Sequence, residues 1–406
     1  MSYLYEPARI SAASLPLIFR NSRTTTAEAE YLICDIYVSQ GKRATFRKPW
    51  FSSAADFLFD IDAQSVVARN IAPYTYEKST IFGLLGVKEL YSSTDVFAEY
   101  YIVTTLEVRG SDGYLQSVSG SGETSSTLYA LPAVRGIDSI SMNAYYSPSA
   151  GGDFKFLTTG PATQQIGTQE SFYVSWLSRG TNAAQLLFYN AGGTQVGSTV
   201  IATADSVNDE RLNSLSIGPA NLTGTGSLVI LDGSLPTSFS NIAYYTYSAG
   251  TWAGSAYTRK SDLRRLDIVP RCGWAQRVYW MGTLGGCEQY TFQGQIVKKQ
   301  QDTGAVGEVA PRWNVSLTPP TPTHARGLVK TENEGELRME IRESIPTEYG
   351  DWLRTLRKSP EVYLDDAGKY RAVVTAPGAT NYEEGRQALT EFEVTLITGR
   401  ETSQEL

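Results

Sequence analysis

Apolar and polar residues alternate along most of this chain with a period of two, the spacing that sends successive side chains to opposite faces of a β-sheet. Tyr31-Leu32-Ile33-Cys34-Asp35-Ile36-Tyr37-Val38 and the run 99–108 have the length and the β-branched and aromatic content of strands. Phe57-Leu58-Phe59-Asp60-Ile61-Asp62 leads into Ala63-Gln64-Ser65-Val66-Val67-Ala68-Arg69, where Asp62 is placed to cap a short helix. Residues 1–135 therefore read as a β-sandwich with one helical insertion, crossed by a Gly- and Ser-rich mobile loop over 110–127. From 136 to 262 the chain turns to Ser, Thr, Gly, Ala and Tyr with few charges, and Asn190-Ala191-Gly192-Gly193 supplies a turn that lets the run after it fold back as a hairpin. Short strands at regular spacing predict a second sandwich there.

The stretch 263–406 has a third character. Arg277-Val278-Tyr279-Trp280 and the run 288–297 flank Gly282, Gly285 and Gly286, the signature of a hairpin with a glycine-permitted turn. Leu337 to Arg342 alternates strictly, as a strand with one wet face does. The period then changes: Tyr349, Trp352, Leu353 and Leu356 fall at i, i+3, i+4 and i+7, one stripe of a helix bounded by Pro346 and Pro360. The expected fold class is mainly β: multi-domain β-sandwich modules, with a C-terminal β-sheet domain carrying one packed α-helix.

Composition narrows the chemistry. The 406 residues include one histidine, His324, and three cysteines, against 25 tyrosines and seven tryptophans. Histidine is the commonest general base and metal ligand, so most such chemistry would have to pass through His324. That residue ends Pro319-Pro320-Thr321-Pro322-Thr323-His324, read here as a polyproline-like connector. The net charge of −7 and the lack of a long basic run argue against nucleic acid as a partner; the nearest basic cluster, Arg259-Lys260 and Arg264-Arg265, reads as a strand edge or interface contact. Neither a secretion signal nor an uninterrupted apolar span of about eighteen residues is visible, so synthesis in a cytosol without membrane insertion is expected. Cys272 and Cys287 could bridge a hairpin, but reduced, packed thiols are the simpler expectation. No cofactor or metal is expected.

The hairpin Tyr279-Trp280-Met281-Gly282-Thr283-Leu284-Gly285-Gly286-Cys287-Glu288-Gln289-Tyr290-Thr291-Phe292-Gln293-Gly294 resembles an aromatic-Trp, Gly-Gly, acid, aromatic, Phe-x-Gly hairpin of tail-structural proteins in phages and prophages of Bacteroidota-type hosts. The helix around Trp352-Leu353-Arg354-Thr355-Leu356 and the strands after it are similar to the C-terminal domain of that group, and Phe57-Leu58-Phe59-Asp60-Ile61-Asp62 resembles an element near its N-terminus. Met281-Gly282 stands where the group has an asparagine-containing turn, and Asp62 where it has serine. The resemblance covers both ends and leaves the middle module out. It implies a distal-tail or baseplate ring component or adaptor: a self-associating, symmetric subunit, trimeric or hexameric, partnered by other tail proteins. Such a subunit is assembled in the bacterial host cytoplasm and resident in the virion tail.

Candidate sites follow from the residues themselves. Tyr244, Tyr245, Tyr247 and Trp252 place four rings in an uncharged Gly/Ser context, where exposed rings could stack on a host surface glycan; packing inside a sandwich is the competing expectation. Trp274, Trp280 and Trp352 are expected in the core of the third module, with Gly285, Gly286, Phe292, Leu353 and Leu356 as its structural residues. Paired carboxylates for glycoside cleavage could come from Asp60 and Asp62 or from Glu332, Glu334 and Glu336, but a strand-end acid with a helix cap and a solvated hairpin approach explain them more simply. Asp365 and Asp366 read as turn residues and not as a calcium site. The expected function is a nonenzymatic structural part of a phage tail tip or baseplate; the alternative is a lectin-like surface protein, and a glycan-cleaving tail enzyme stands third.

Overall fold

A computed structural model of the chain describes residues 2–7, 10–13, 16–23, 31–39, 41–49, 57–70, 90–93, 98–118, 122–131, 144–146, 153–178, 180–203, 211–223, 228–303, 306–309, 312–314, 321–324, 327–330, 334–366, 369–376 and 389–398. The protein is mainly β, as its alternation predicts. It divides into two compact units: Met1–Arg271 with Tyr279–Gln289 and Lys358–Pro360, and Cys272–Val278 with Tyr290–Arg357 and Glu361–Leu406.

The first unit contains two sandwiches. In one, a three-stranded sheet of β1 (Ser2–Tyr5), β3 (Ile18–Arg23) and β6 (Phe57–Asp62) faces a larger sheet. That larger sheet runs β2 (Ile10–Ala12), β11 (Leu128–Leu131), β8 (Ala98–Arg109), β4 (Tyr31–Val38) and β5 (Gly41–Pro49). Strand β8 alternates strictly, turning Tyr100, Ile102, Thr104 and Leu106 inward. There Phe19 meets Tyr100 edge to face at 6.2 Å. Helix α1 (Gln64–Asn70) follows β6, and Asp62 Oδ1 accepts from the backbone N–H of both Gln64 and Leu17 at 2.9 Å, so the acid expected to cap the helix also ties it to the sheet.

Of the stretch 110–127, expected as a mobile loop, the described residues 110–118 and 122–127 are instead largely paired, while 119–121 lie outside the described residues. Residues 110–114 form a tight turn, and β9 (Leu115–Ser117) and β10 (Glu123–Thr124) both add to β8. At 110–114 the Gly- and Ser-rich composition signals a turn between strands. One turn recurs three times: Gly113, Gly193 and Gly285 each have φ near +80° (80, 76 and 80°), donate to the carbonyl three residues back, and close a hairpin. Only glycine adopts that left-handed geometry without strain.

The second sandwich packs β13 (Tyr173–Ser178), β16 (Arg211–Ser216) and β7 (Leu90–Ser93) against a larger sheet. That sheet runs β12 (Thr163–Ile166), β20 (Arg264–Ile268), β18 (Tyr244–Trp252), β14 (Ala183–Tyr189), β15 (Gln195–Ala202) and β17 (Ile230–Gly233), with β19 (Tyr257–Arg259) on β18. Trp176, Phe188, Tyr245 and Leu266 fill its core, and the short helix α2 (Pro219–Leu222) follows β16. A boundary near residue 135 does not separate the two sandwiches. Strand β7 comes from before that point yet pairs with β16, and Ile10 and Leu131 share an apolar cluster with Tyr146, Leu157 and Leu212.

The second unit is built on a seven-stranded sheet ordered β22 (Cys287–Phe292), β21 (Gln276–Met281), β29 (Val362–Asp366), β30 (Lys369–Thr375), β31 (Leu389–Thr398), β28 (Glu334–Pro346) and β23 (Gln295–Thr303). Residues Tyr279–Gln289 of its first two strands count with the first unit. Helix α3 (Thr347–Lys358) buries the predicted stripe of Tyr349, Trp352, Leu353 and Leu356. Two small ladders complete the unit, β24 (Val306–Val309) with β27 (Gly327–Lys330) and β25 (Arg312–Asn314) with β26 (Thr321–His324). The expected proline connector is thus in part a strand: Thr321 to His324 pair with Arg312 to Asn314 in a ladder of only two strands, where proline is tolerated at an edge. Pro319 and Pro320 lie outside the described residues.

Candidate functional site

The tyrosine-rich strand β18 splits its rings between two faces, as its pleat requires. Tyr245 is fully buried and donates its hydroxyl to the Ile217 carbonyl at 2.6 Å; Tyr247 is 4 % exposed, and burial pushes its hydroxyl far above the ordinary tyrosine range. Neither ring is open to a sugar, which corrects the expected glycan contact at both. Tyr244, on the other face, stacks on Tyr189 at 4.8 Å with planes 9° apart, and the Arg265 guanidinium lies 3.7 Å from its ring centre. Arg265 also pairs with Asp267 at 2.6 Å, so both faces of Tyr244 are taken within the protein. Trp252 is half-buried at the end of the strand, its backbone N–H donating to Asn182 Oδ1 at 2.6 Å. The four rings therefore form no common platform.

The predicted hairpin places two polar side chains, Glu288 and Gln289, in the interior of the first unit. Gly282 and Gly286 close the turn, and a Cβ on Gly286 would lie 2.3 Å from the Leu157 carbonyl oxygen, so the hairpin backbone is pressed against residue 157. Trp280 is fully buried. Next to it Glu288, 2 % exposed, accepts the Thr158 hydroxyl at 2.8 Å and the Thr159 N–H at 3.1 Å. Gln289 makes a two-way contact with the Tyr173 backbone at 3.0 and 3.1 Å. Arg264 holds the same segment from strand β20, donating to the carbonyls of Gly160 and Pro161 and to Asp262 Oδ2 at 2.8 Å. Of the expected basic cluster, then, Arg264 is a buried tether, Arg259 and Arg265 are exposed, and Lys260 is half-buried. Sequence reading singled out Glu288 as the acid of the hairpin motif and took Arg264 as part of a strand edge or interface contact; it missed the tether because Gly160 and Pro161, and the Phe156 N–H that Asp262 accepts, lie about a hundred residues away.

In the second unit Phe292 stacks on Phe392 at 5.7 Å, and Tyr290 meets Trp352 edge to face at 5.9 Å. Glu343 accepts the Tyr290 hydroxyl at 3.2 Å and the Gln293 N–H at 2.9 Å, fixing the end of β22. Trp274, expected in this core, is instead 66 % exposed. It sits on a tight turn closed by the Ala275 N–H and the Cys272 carbonyl at 3.0 Å, and its indole N–H donates to the Gln293 carbonyl at 3.2 Å. The turn carries the ring outward, and the hydrogen bond holds it there.

The remaining candidates follow their simpler readings. Asp60 forms an exposed two-bond ion pair with Arg20 at 2.8 and 2.9 Å, and Asp62 caps α1. Glu332 lies outside the described residues, and Glu334 and Glu336 belong to β28. Asp365 and Asp366 belong to strand β29, where they pair with Tyr370 and Lys369; residues 367 and 368 of the expected turn lie outside the described residues. Cys34, Cys272 and Cys287 are free thiols, and burial pushes the Cys34 thiol up to about 12. Among the described residues no cluster of three or more His, Cys, Asp or Glu side chains could hold a metal ion, and no helix is long and apolar enough to cross a membrane. No protein-family profile matches the chain, and no curated protein sequence matches it.

Proposed function

We propose that the protein is a structural, nonenzymatic subunit that assembles with copies of itself and with other tail proteins into a ring or adaptor at the tail tip or baseplate of a tailed phage. One structural observation supports the assembly part: Trp274 stands 66 % exposed while its indole is fixed by the Gln293 carbonyl. An exposed indole held in one orientation loses little entropy on docking and offers a large apolar face, the property that makes tryptophan a frequent anchor of protein interfaces. The assignment to phage tails rests on the resemblance of the hairpin around Trp280 and of the helix around Trp352 to tail-structural proteins. In this reading the protein works by presenting surface, and its place is the virion.

Negative-stain images of the purified full chain and of Trp274→Ser test the proposal. Ring-shaped particles of uniform diameter in the parent, replaced by small dispersed particles in the variant, are the expected result. Rings unaffected by the substitution would remove Trp274 from the interface, and dispersed particles in both would overturn the assembly reading.

A further inference from the structure

The two sandwiches of the first unit share one strand order. The larger sheet runs β2-β11-β8-β4-β5 in the first and β12-β20-β18-β14-β15 in the second. Each opens with a strand parallel to the last strand of its own sandwich, β2 on β11 and β12 on β20, while the other pairs along both paths are antiparallel. In each, the second strand lies in the smaller sheet (β3, β13) and a hairpin follows in the larger one (β4-β5, β14-β15). The next strand (β6, β16) pairs antiparallel with that second strand and leads into a short helix. Short strands then add to the long one, β9 and β10 to β8 and β19 to β18. Purely antiparallel sheets are over-represented among sheets, so the same parallel exception at the same place is a specific correspondence. The sandwiches differ at their margins, where β1 adds to β3, and where β7 joins β16 whereas β17, at the same place in sequence, joins β15.

The contact between the two uses a different surface on each. Ile10, Tyr129 and Leu131 at the β2–β11 edge share an apolar cluster with Leu177 and Leu212 of β13 and β16. A contact between unlike surfaces leaves one of each kind open: the β12–β20 edge of the second sandwich and the outer face of β3 and β6 on the first. In register, Arg265 and Asp267 stand where Tyr129 and Leu131 stand, and the pairs Arg20↔Asp60 and Ser22↔Leu58 stand where Ser175↔Ser214 and Leu177↔Leu212 stand. Each open surface carries an ion pair, Arg265 with Asp267 at 2.6 Å and Arg20 with Asp60 at 2.8 Å, and these four side chains are 30–50 % exposed. Two surfaces that each present both signs can exchange partners, Arg against Asp in both directions.

We propose that the two sandwiches are one module used twice, and that the contact joining them within a chain recurs between chains. The β12–β20 edge of one copy docks on the outer face of β3 and β6 of the next, Arg265 meeting Asp60 and Asp267 meeting Arg20. The partner is a second copy because this chain itself carries both the edge and the face, with complementary charges. Such a head-to-tail contact is heterologous, the kind that closes rings. The inference rests on the self-assembly reading above and adds where the copies meet.

Two double variants of the full chain test it while keeping each ion pair within the chain: Arg20→Asp with Asp60→Arg, and Arg265→Asp with Asp267→Arg. Both set like charge against like at the proposed boundary. Sedimentation equilibrium, with circular dichroism to follow the fold, is expected to show an oligomer for the parent, its loss to single-chain mass in each double variant, and its return when all four substitutions are combined. An unchanged mass in either double variant, or no return in the combined one, overturns this contact and leaves self-assembly standing. A parent of single-chain mass overturns the self-assembly reading and this contact with it. Should the first double variant fail to fold, Arg20→Gln with Asp60→Asn takes its place: loss of the oligomer supports the contact, and an unchanged mass overturns it.

Discussion

Tyr290 stands edge-on to Trp352, with ring centroids 5.9 Å apart and planes at 87°. The first residue lies on the strand that follows the glycine turn and the second on α3, so this contact joins the two sequence features that are most legible in the C-terminal part. Tyr349 closes the group, 6.0 Å from Tyr290 and 5.6 Å from Trp352. Removing the indole leaves the cluster with a hole that neighbouring rings cannot fill. Trp352→Ala should cost about 3–5 kcal/mol, read from urea unfolding followed by circular dichroism. A loss below about 1 kcal/mol would mean that α3 is not a core element.

Gly286 faces a different constraint, the Leu157 backbone. A Cβ there would sit 2.3 Å from the carbonyl oxygen, far inside contact distance, and backbone cannot move aside as a side chain can. Gly286→Ala should therefore sharply reduce soluble yield and unfolding midpoint, and Trp280→Ala, which empties a fully buried indole site, should do the same. Near-normal midpoints for both would contradict the placement of the hairpin in the first unit.

The three thiols differ in access. Cys272 is exposed, whereas Cys34 and Cys287 are buried, and Cys34 is further protected by a thiol pushed up to about 12. Because the thiolate is the reactive form, one thiol per chain should react quickly with a disulfide reagent at neutral pH and the other two only after denaturation. Rapid release of two or three equivalents from native protein would be the contrary result.

Alkaline pH should unfold the protein through groups that stay protonated only when folded. Burial, opposed by a hydrogen bond from Ser248, pushes the Tyr257 hydroxyl from its ordinary 10 up to about 12, and burial with Asp35 nearby pushes the Cys34 thiol from about 9 up to about 12. Below the lower value of each pair the folded and unfolded states bind the same protons. Between the two values the unfolded chain has released a proton that the folded chain keeps. Stability is thus full below about pH 9 and falls toward pH 12, with a slope of up to about 1.4 kcal/mol per pH unit for each such group. Circular dichroism against pH, with tyrosinate absorbance followed in parallel, checks this. Ionisation of all tyrosines near pH 10 with the fold intact would refute it.

What the sequence made visible was whatever depends on neighbours. The stripe of Tyr349, Trp352, Leu353 and Leu356 has a single helical solution, and the alternation of 99–108 has a single face to bury, so both elements formed as read. The turn at Gly285 was readable because few residues tolerate its φ of 80°. Long-range pairing left no such mark. Nothing local in Leu90–Ser93 says that it joins Arg211–Ser216, and Trp274 looks like any core tryptophan until the turn beneath it is seen to point outward. The rings of β18 were ambiguous for a related reason: alternation says that Tyr244 and Tyr245 face opposite ways, but not which way holds the core.

Self-assembly is tested most directly by the mass of the purified full chain in solution, measured by light scattering across a concentration series. The expected result is a closed oligomer, three or six times the 44.5 kDa of one chain, whose mass does not grow further with concentration. A 44.5 kDa particle at every concentration would contradict it.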